Sequence, residues 1–171
     1  VLEALRNGET DRLRLEFARK AFAHTAAYDA AIVAWLGKDV ALPETPLPET
    51  LHLSLEYAQS LRYGENPHQT GARYREVGAK SWWDDAVQHS GAALSYLNLF
   101  DAEAAWRLVH EFGVPAAVIV KHANPCGVAL AESAETAYAR AFGADPKSAF
   151  GGVVALNRPV SEALTAELLA N

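Results

Sequence analysis

The sequence has a single cysteine and no methionine, and each shortage limits what the protein can be. One thiol, Cys126, cannot form a disulfide within the chain, which favours a reducing compartment and a cytoplasmic protein. A natural reading frame starts with methionine, whereas this sequence begins with Val1. We therefore expect the 171 residues to be a piece of a longer protein.

Long apolar runs and an excess of positive charge are also missing. No stretch of about eighteen or more apolar residues occurs, so the sequence predicts no transmembrane helix and no membrane partner. Fifteen basic against twenty-one acidic residues give a formal net charge of -6. This balance argues against general affinity for nucleic acid. It is compatible with a small anionic ligand, since a few local cations can hold a phosphate.

The apolar pattern predicts a layered α/β protein. A helix is predicted over residues 10–36, with His24 partly buried on its apolar stripe. Three prolines between residues 38 and 48 indicate an extended connector and a domain boundary. Beyond it, strands and helices alternate, as in an α/β sheet. The predicted strands are 51–61, 116–120 and 153–156, and the predicted helices are 101–112 (capped by Asp101), 133–142 and 161–169.

Three polar side chains follow directly after the strand predicted at residues 116–120. Five apolar residues without alternation are typical of a strand buried on both faces, although periodicity alone does not exclude a buried helical turn. Lys121, His122 and Asn124 come next. In an open α/β sheet, ligands bind beyond the carboxyl ends of the strands, so we expect the site there.

Lys121 and His122 can act together only if the backbone leaves strand geometry, because adjacent strand side chains face opposite ways. Residues 124–127 (NPCG) favour such a departure. A neutral imidazole could then accept a proton while the ammonium stabilises a developing oxyanion. That pair suits acyl or formyl transfer to a weak amine. The alternative is a surface lysine beside a core histidine.

The same stretch of sequence can be tested for other kinds of functional site. A zinc deaminase needs a glutamate at the position of Asn124 and a second cysteine after Cys126, so zinc is not expected. A nucleophilic pair of Cys126 and His122 stays open, although a lone cysteine with apolar neighbours is usually a packing residue. The polar loop at residues 61–69 either binds a ligand or is a solvated turn in which Arg62 pairs with Glu65.

Three segments together resemble a known family, the bifunctional AICAR transformylase/IMP cyclohydrolases of purine biosynthesis. They are residues 61–69 (LRYGENPHQ), 121–127 (KHANPCG) and 145–152 (DPKSAFGG). Residues 20–29 also resemble the end of the family's cyclohydrolase domain. The resemblance implies a cyclohydrolase tail over residues 1–37, a linker over 38–50 and the first part of the transformylase domain over 51–171. It implies a cytidine-deaminase-like α/β fold without zinc.

The resemblance also implies a reaction and roles for residues. The family transfers a formyl group from 10-formyltetrahydrofolate to AICAR and closes the product to IMP, as a homodimer with shared active sites. His122 would accept the proton and contact the substrate, and Lys121 would stabilise the transition state. Arg62, Tyr63 and Gly151 would bind AICAR, with Asn98 near the same ligand.

Two further expectations accompany the resemblance. The family often has a lysine and an additional asparagine in the stretch that reads GAALSYLN here (residues 91–98), so this stretch departs from the family's pattern. Large parts of both domains are absent, so this chain alone is expected to catalyse neither step. The alternative from another class is a non-catalytic nucleotide-binding or dimerisation module of the same fold.

Overall fold

The computed structural model describes residues 1–39 and 50–170, which belong to two compact units. We call them the helical unit (residues 1–57 and 74–86) and the sheet unit (residues 58–73 and 87–171). The connector predicted at residues 38–50 lies almost wholly outside the described residues. The six residues predicted for the site all belong to the sheet unit.

The helical unit is built on one long helix. It contains α1 (Leu2–Asn7), α2 (Thr10–Asp39) and α3 (Trp82–Asp85). The start of α2 is as predicted, but the helix continues through Gly37. The prediction that His24 is partly buried is wrong: its side chain is exposed, because it lines an open hollow with Ala27 and His52 instead of facing a core. In the part of the chain that the structure describes, no helix is both long and apolar enough to cross a membrane.

A two-stranded sheet is formed by β1 (Leu55–Ser60) and β2 (Ala72–Glu76). The strand predicted from residue 51 therefore begins four residues later, and Leu51 and Leu53 are exposed. Arg75 on β2 forms ion pairs with Glu56 at 2.7 Å and Asp84 at 3.4 Å. The hydrogen bond to Glu56 and the two negative charges raise the pKa of the Arg75 guanidinium. These contacts tie β1 and α3 to the same strand.

The sheet unit contains a three-stranded sheet in the order β4-β3-β5. Its strands are β3 (Ala116–Lys121), β4 (Asn124–Leu130) and β5 (Val153–Leu156), and β3 pairs antiparallel with both neighbours. This corrects the expectation for residues 124–127, which belong to a strand and not to a loop. It also removes one reason for placing the site at Lys121, namely the crevice expected at the carboxyl ends of parallel strands. β3 is antiparallel to both neighbours and continues directly into a hairpin.

Helices cover both faces of β3. Ala117 and Ile119 belong to one core cluster with residues of α5 (Ala134–Ala144), α6 (Pro146–Ala149) and α7 (Glu162–Ala170). Ala116, Val118 and Val120 face α4 (Tyr96–His110) on the other side. All five strand residues are fully buried, which confirms the strand predicted to be buried on both faces. A mixed α/β architecture is thereby confirmed.

The start of α4 differs from the prediction. Asp101 does not cap the helix, because Ser95 does so from a buried position. The Ser95 hydroxyl accepts the Asn98 backbone N–H at 3.2 Å, and the Asn98 side-chain oxygen accepts the Ser95 N–H at 3.0 Å. This capping box satisfies the first turn and leaves the Asp101 carboxylate available for another partner.

Asn157, at the end of β5, joins several segments through one side chain. Its oxygen accepts the Ala116 N–H at 2.9 Å. Its amide group donates to the carbonyls of Phe112 at 2.8 Å, Val114 at 2.9 Å and Val109 at 3.3 Å. The sequence alone gave no sign of this role. The residue connects the end of α4, the start of β3 and the end of β5.

We expect Asn157→Asp to destabilise the fold by about 2–3 kcal/mol, since an oxygen would replace the donor that faces three carbonyls. Urea unfolding followed by circular dichroism measures this loss. Asn124→Asp is the comparison, because the Asn124 amide donates to one carbonyl, that of His122, so a smaller loss of about 1 kcal/mol is expected. Equal unfolding midpoints for the two variants would contradict the role given to Asn157.

Candidate functional site

Residues at the start of α4 hold two of the three motif segments, one by main-chain hydrogen bonds and the other by a side chain of the helix. The Arg62 N–H donates to the Leu94 carbonyl at 2.8 Å, and the Tyr96 N–H donates to the Tyr63 carbonyl at 3.1 Å. Further along the helix, the Asp101 carboxylate accepts the Ala123 N–H at 2.7 Å. Tyr96 and Asp101 are about 7–8 Å apart along the axis, at 1.5 Å per residue. The arginine–tyrosine segment and the Lys121–His122 segment are therefore held by neighbouring turns of one helix.

The polar loop at residues 61–69 is closed on itself. The Gly64 N–H donates to the Gln69 carbonyl at 2.8 Å, and the Leu61 N–H donates to the Gly71 carbonyl at 3.0 Å. The two glycine backbones approach closely, since a Cβ on Gly71 would lie 3.2 Å from the Gly64 Cα. Such a loop has a defined shape, which distinguishes it from a freely solvated turn. With Tyr96 it lines a hollow of about 440 Å³.

Arg62 lies over the ring of Tyr63. Its guanidinium carbon is 4.9 Å from the ring centroid, and Nη2 donates to the Tyr63 hydroxyl at 3.3 Å. Its partner is therefore the adjacent ring, whereas the simple-turn alternative paired it with Glu65. Arg62 is exposed and Tyr63 is half-buried, so the pair presents a cation and an aromatic ring on one rigid loop.

His122 and Ala123 form a two-residue turn between β3 and β4. Their φ angles are 55° and 59°, and positive values at both central residues are typical of a type I′ hairpin turn. The prediction that the backbone leaves strand geometry at His122 is confirmed. Each left-handed residue with a side chain costs roughly 1–2 kcal/mol, so other contacts must hold the turn. The Asn124 amide supplies one by donating to the His122 carbonyl at 2.8 Å, and Asp101 supplies another.

The third motif segment reaches the end of β3 through Lys121. Its ammonium donates to the Phe150 carbonyl at 2.9 Å, directly before Gly151. Asp145 starts this segment as the N-cap of α6, and hydrogen bonds from the Ser148 side chain and backbone lower the pKa of Asp145. Gly151 has a φ of 73°, which suits glycine. The structure thus places Gly151 next to the carbonyl that holds the lysine.

His122 and Cys126 differ in their surroundings. His122 is exposed, which excludes the core-histidine alternative within this chain. Cys126 is half-buried, packs against the α5 side of the core and lies 3.5 Å from the Ile119 carbonyl. The strand register shifts at this point, so Cys126 is the extra residue of a β-bulge. These contacts indicate a packing role for the thiol.

Asn98 is half-buried one turn before Asp101. Its side-chain oxygen accepts the Ser95 N–H and hydroxyl, both at 3.0 Å, so it shapes the start of α4. Asp101 was missed as a site residue because its position suggested a helix cap. Among residues 1–39 and 50–170, no three histidine, cysteine, aspartate or glutamate side chains are grouped so as to hold a metal ion.

The sheet unit is thus a mixed α/β domain. The His122 imidazole, the Lys121 ammonium and the Arg62 guanidinium lie on segments that are joined to α4 and to the β3–β4 hairpin. The whole chain, residues 1–171, matches the sequence model of the AICARFT/IMPCHase bienzyme family. It is 51% identical over 167 residues to the "Bifunctional purine biosynthesis protein PurH" of Acidithiobacillus ferrooxidans. That alignment covers 96% of this chain and 31% of the relative. The chain belongs to the AICARFT/IMPCHase bienzyme family.

Proposed function

We propose that this chain is an internal part of a bifunctional purine-biosynthesis enzyme. It carries the end of the IMP cyclohydrolase domain (residues 1–37), a linker (38–50) and the first part of the AICAR transformylase domain (51–171), whose fold is cytidine-deaminase-like. The joint anchoring of Arg62–Tyr63 and Lys121–His122 on α4 is the observation that carries the proposal. The enzyme is cytoplasmic and homodimeric, with active sites shared between subunits.

In the proposed reaction, the amine of AICAR attacks the formyl carbon of 10-formyltetrahydrofolate. The bond from that carbon to the folate nitrogen breaks, the amine loses a proton to His122, and the departing nitrogen gains a proton. His122 suits this role because its side chain is exposed on a fixed turn. Lys121, oriented by the Phe150 carbonyl, stabilises the negative charge that develops on the formyl oxygen. No metal is needed for these steps.

Arg62, Tyr63 and Gly151 bind the AICAR nucleotide in this proposal, and Asn98 lies near it. A guanidinium binds phosphate or carboxamide oxygens, and a tyrosine ring packs against a heterocycle. The rigid loop holds both groups before the ligand arrives, which lowers the entropy cost of binding. The chain spans 31% of the length of its relative, so we propose that it alone catalyses neither step; turnover by the purified 171 residues would contradict this.

We expect Arg62→Ala to raise the KM for AICAR in the full-length protein by about 10- to 100-fold. The loss of a charged hydrogen bond costs roughly 1.5–3 kcal/mol, and each 1.4 kcal/mol is tenfold in affinity. Steady-state formyl-transfer kinetics measure the change. Arg14→Ala is the control, because Arg14 is exposed on α2 and pairs with Asp11 at 3.6 Å. An unchanged KM for Arg62→Ala would contradict the assignment.

A further inference from the structure

We infer that Asp101 is a positioning residue that fixes the catalytic turn of the proposed transformylase. The expected effect on catalysis rests on the proposed function. The contact itself is seen in the structure, where the Asp101 carboxylate accepts the Ala123 N–H at 2.7 Å. The sequence motifs contain no residue with this role, because Asp101 lies twenty positions before Lys121.

The turn needs an anchor because its sequence does not favour its shape. Type I′ turns are usually built from Asn-Gly or similar pairs, which accept positive φ at both central positions. Here those positions are histidine and alanine, with φ values of 55° and 59°. Ala123 has no side chain that could stabilise the left-handed conformation by itself. The external acceptor on α4 supplies the stabilisation, and a carboxylate makes a stronger bond to an N–H than a neutral oxygen does.

The position of Asp101 also relates the turn to the nucleotide loop. Asp101 lies on the same helix as Tyr96, whose N–H holds the Tyr63 carbonyl. One rigid element therefore sets the distance between the segment proposed to bind AICAR and the segment proposed to accept its proton. Catalysis by proton transfer depends on that distance, and a displacement of about 1 Å can reduce the rate 10²-fold.

The test compares Asp101→Ala with Asp101→Asn in the full-length protein. Alanine removes the acceptor, so we expect kcat for formyl transfer to fall by about 10²-fold with the KM for AICAR nearly unchanged. Asparagine keeps an acceptor oxygen, so most of kcat should return. Glu103→Ala is the matched control, since it removes another carboxylate of α4, one that pairs with Arg107 at 2.6 Å.

A third variant tests the turn directly. Glycine accepts positive φ without steric cost, so Ala123→Gly should restore part of the kcat lost in Asp101→Ala. A merely structural role for Asp101 would not produce this rescue. The inference is overturned if Asp101→Asn is as impaired as Asp101→Ala, if Asp101→Ala keeps its kcat, or if glycine restores nothing.

A measurement without turnover separates this inference from the proposed function. Hydrogen exchange of the Ala123 amide should be slow in the native protein and in Asp101→Asn, and fast in Asp101→Ala. If the protein transfers no formyl group but this pattern holds, the proposed function fails and the anchor stands. If exchange is equally fast in all three, the anchor fails whatever the activity.

Discussion

His122→Ala in the full-length protein is expected to reduce formyl-transfer turnover by about 10²–10⁴-fold, the usual contribution of a positioned general base. The affinity for AICAR should change much less. The reason is the separation of the two roles in the sheet unit: the proposed base lies on the β3–β4 turn, and the Arg62–Tyr63 loop is held independently by residues 94 and 96.

Single-turnover kinetics measure the rate in this experiment, and calorimetry with AICAR measures the affinity. Cys126→Ala is the control, because the thiol packs against the core and should not affect turnover. A cysteine-dependent hydrolase would instead lose its activity in that variant. A non-catalytic nucleotide-binding or dimerisation module would show no turnover to lose. Normal turnover by His122→Ala would contradict the proposed role of the imidazole.

Gly127→Ala is expected to destabilise the sheet unit by about 3 kcal/mol, at the upper end of overpacking costs. Gly127 is buried on β4 opposite Ile119, and a Cβ built there would overlap the backbone carbonyl of Ala141 on α5. A backbone atom in the middle of a packed helix cannot move alone. α5 would have to shift away from β3 and β4, and its core contacts would loosen.

Gly143→Ala is the matched control for this prediction. Gly143 lies in the last turn of α5 with open space around its Cα, so alanine should stabilise the helix by up to about 0.5 kcal/mol. The urea midpoints of the two variants, followed by circular dichroism, should therefore move in opposite directions. A Gly127→Ala variant as stable as the native protein would show that α5 does not pack against β4 in this way.

The sequence predicted the elements whose signal is local. The apolar run of β3 and the helix predicted at residues 133–142 are found as expected, because both signals depend on neighbouring residues. Residues 124–127 were misread since Asn-Pro and a nearby glycine are typical of turns. In the structure, Pro125 is tolerated in the outer strand β4, and Gly127 gives α5 room to approach.

The arrangement of the candidate site was less predictable from sequence. The three motif segments contain the proposed chemical groups. The hydrogen bonds from Arg62 and to Tyr63 help bring these segments together, but they involve backbone atoms and therefore leave no pattern in the sequence of side chains. Asp101 was assigned to the helix start because aspartate is a common N-cap, and Ser95 fills that position instead. The departure from strand geometry at His122 was predicted, but a two-residue turn with positive φ at both positions was not, since alanine is not typical of positive φ.

The most direct test of the central claim is a crystal structure of the full-length protein with AICAR bound. The account predicts one AICAR molecule that contacts the Arg62–Tyr63 loop, with its amine within about 3 Å of the His122 ring. Lys121 and Gly151 should border the same ligand. AICAR bound elsewhere, or an Arg62–Tyr63 loop remote from Lys121 and His122 in every pairing of subunits, would contradict it.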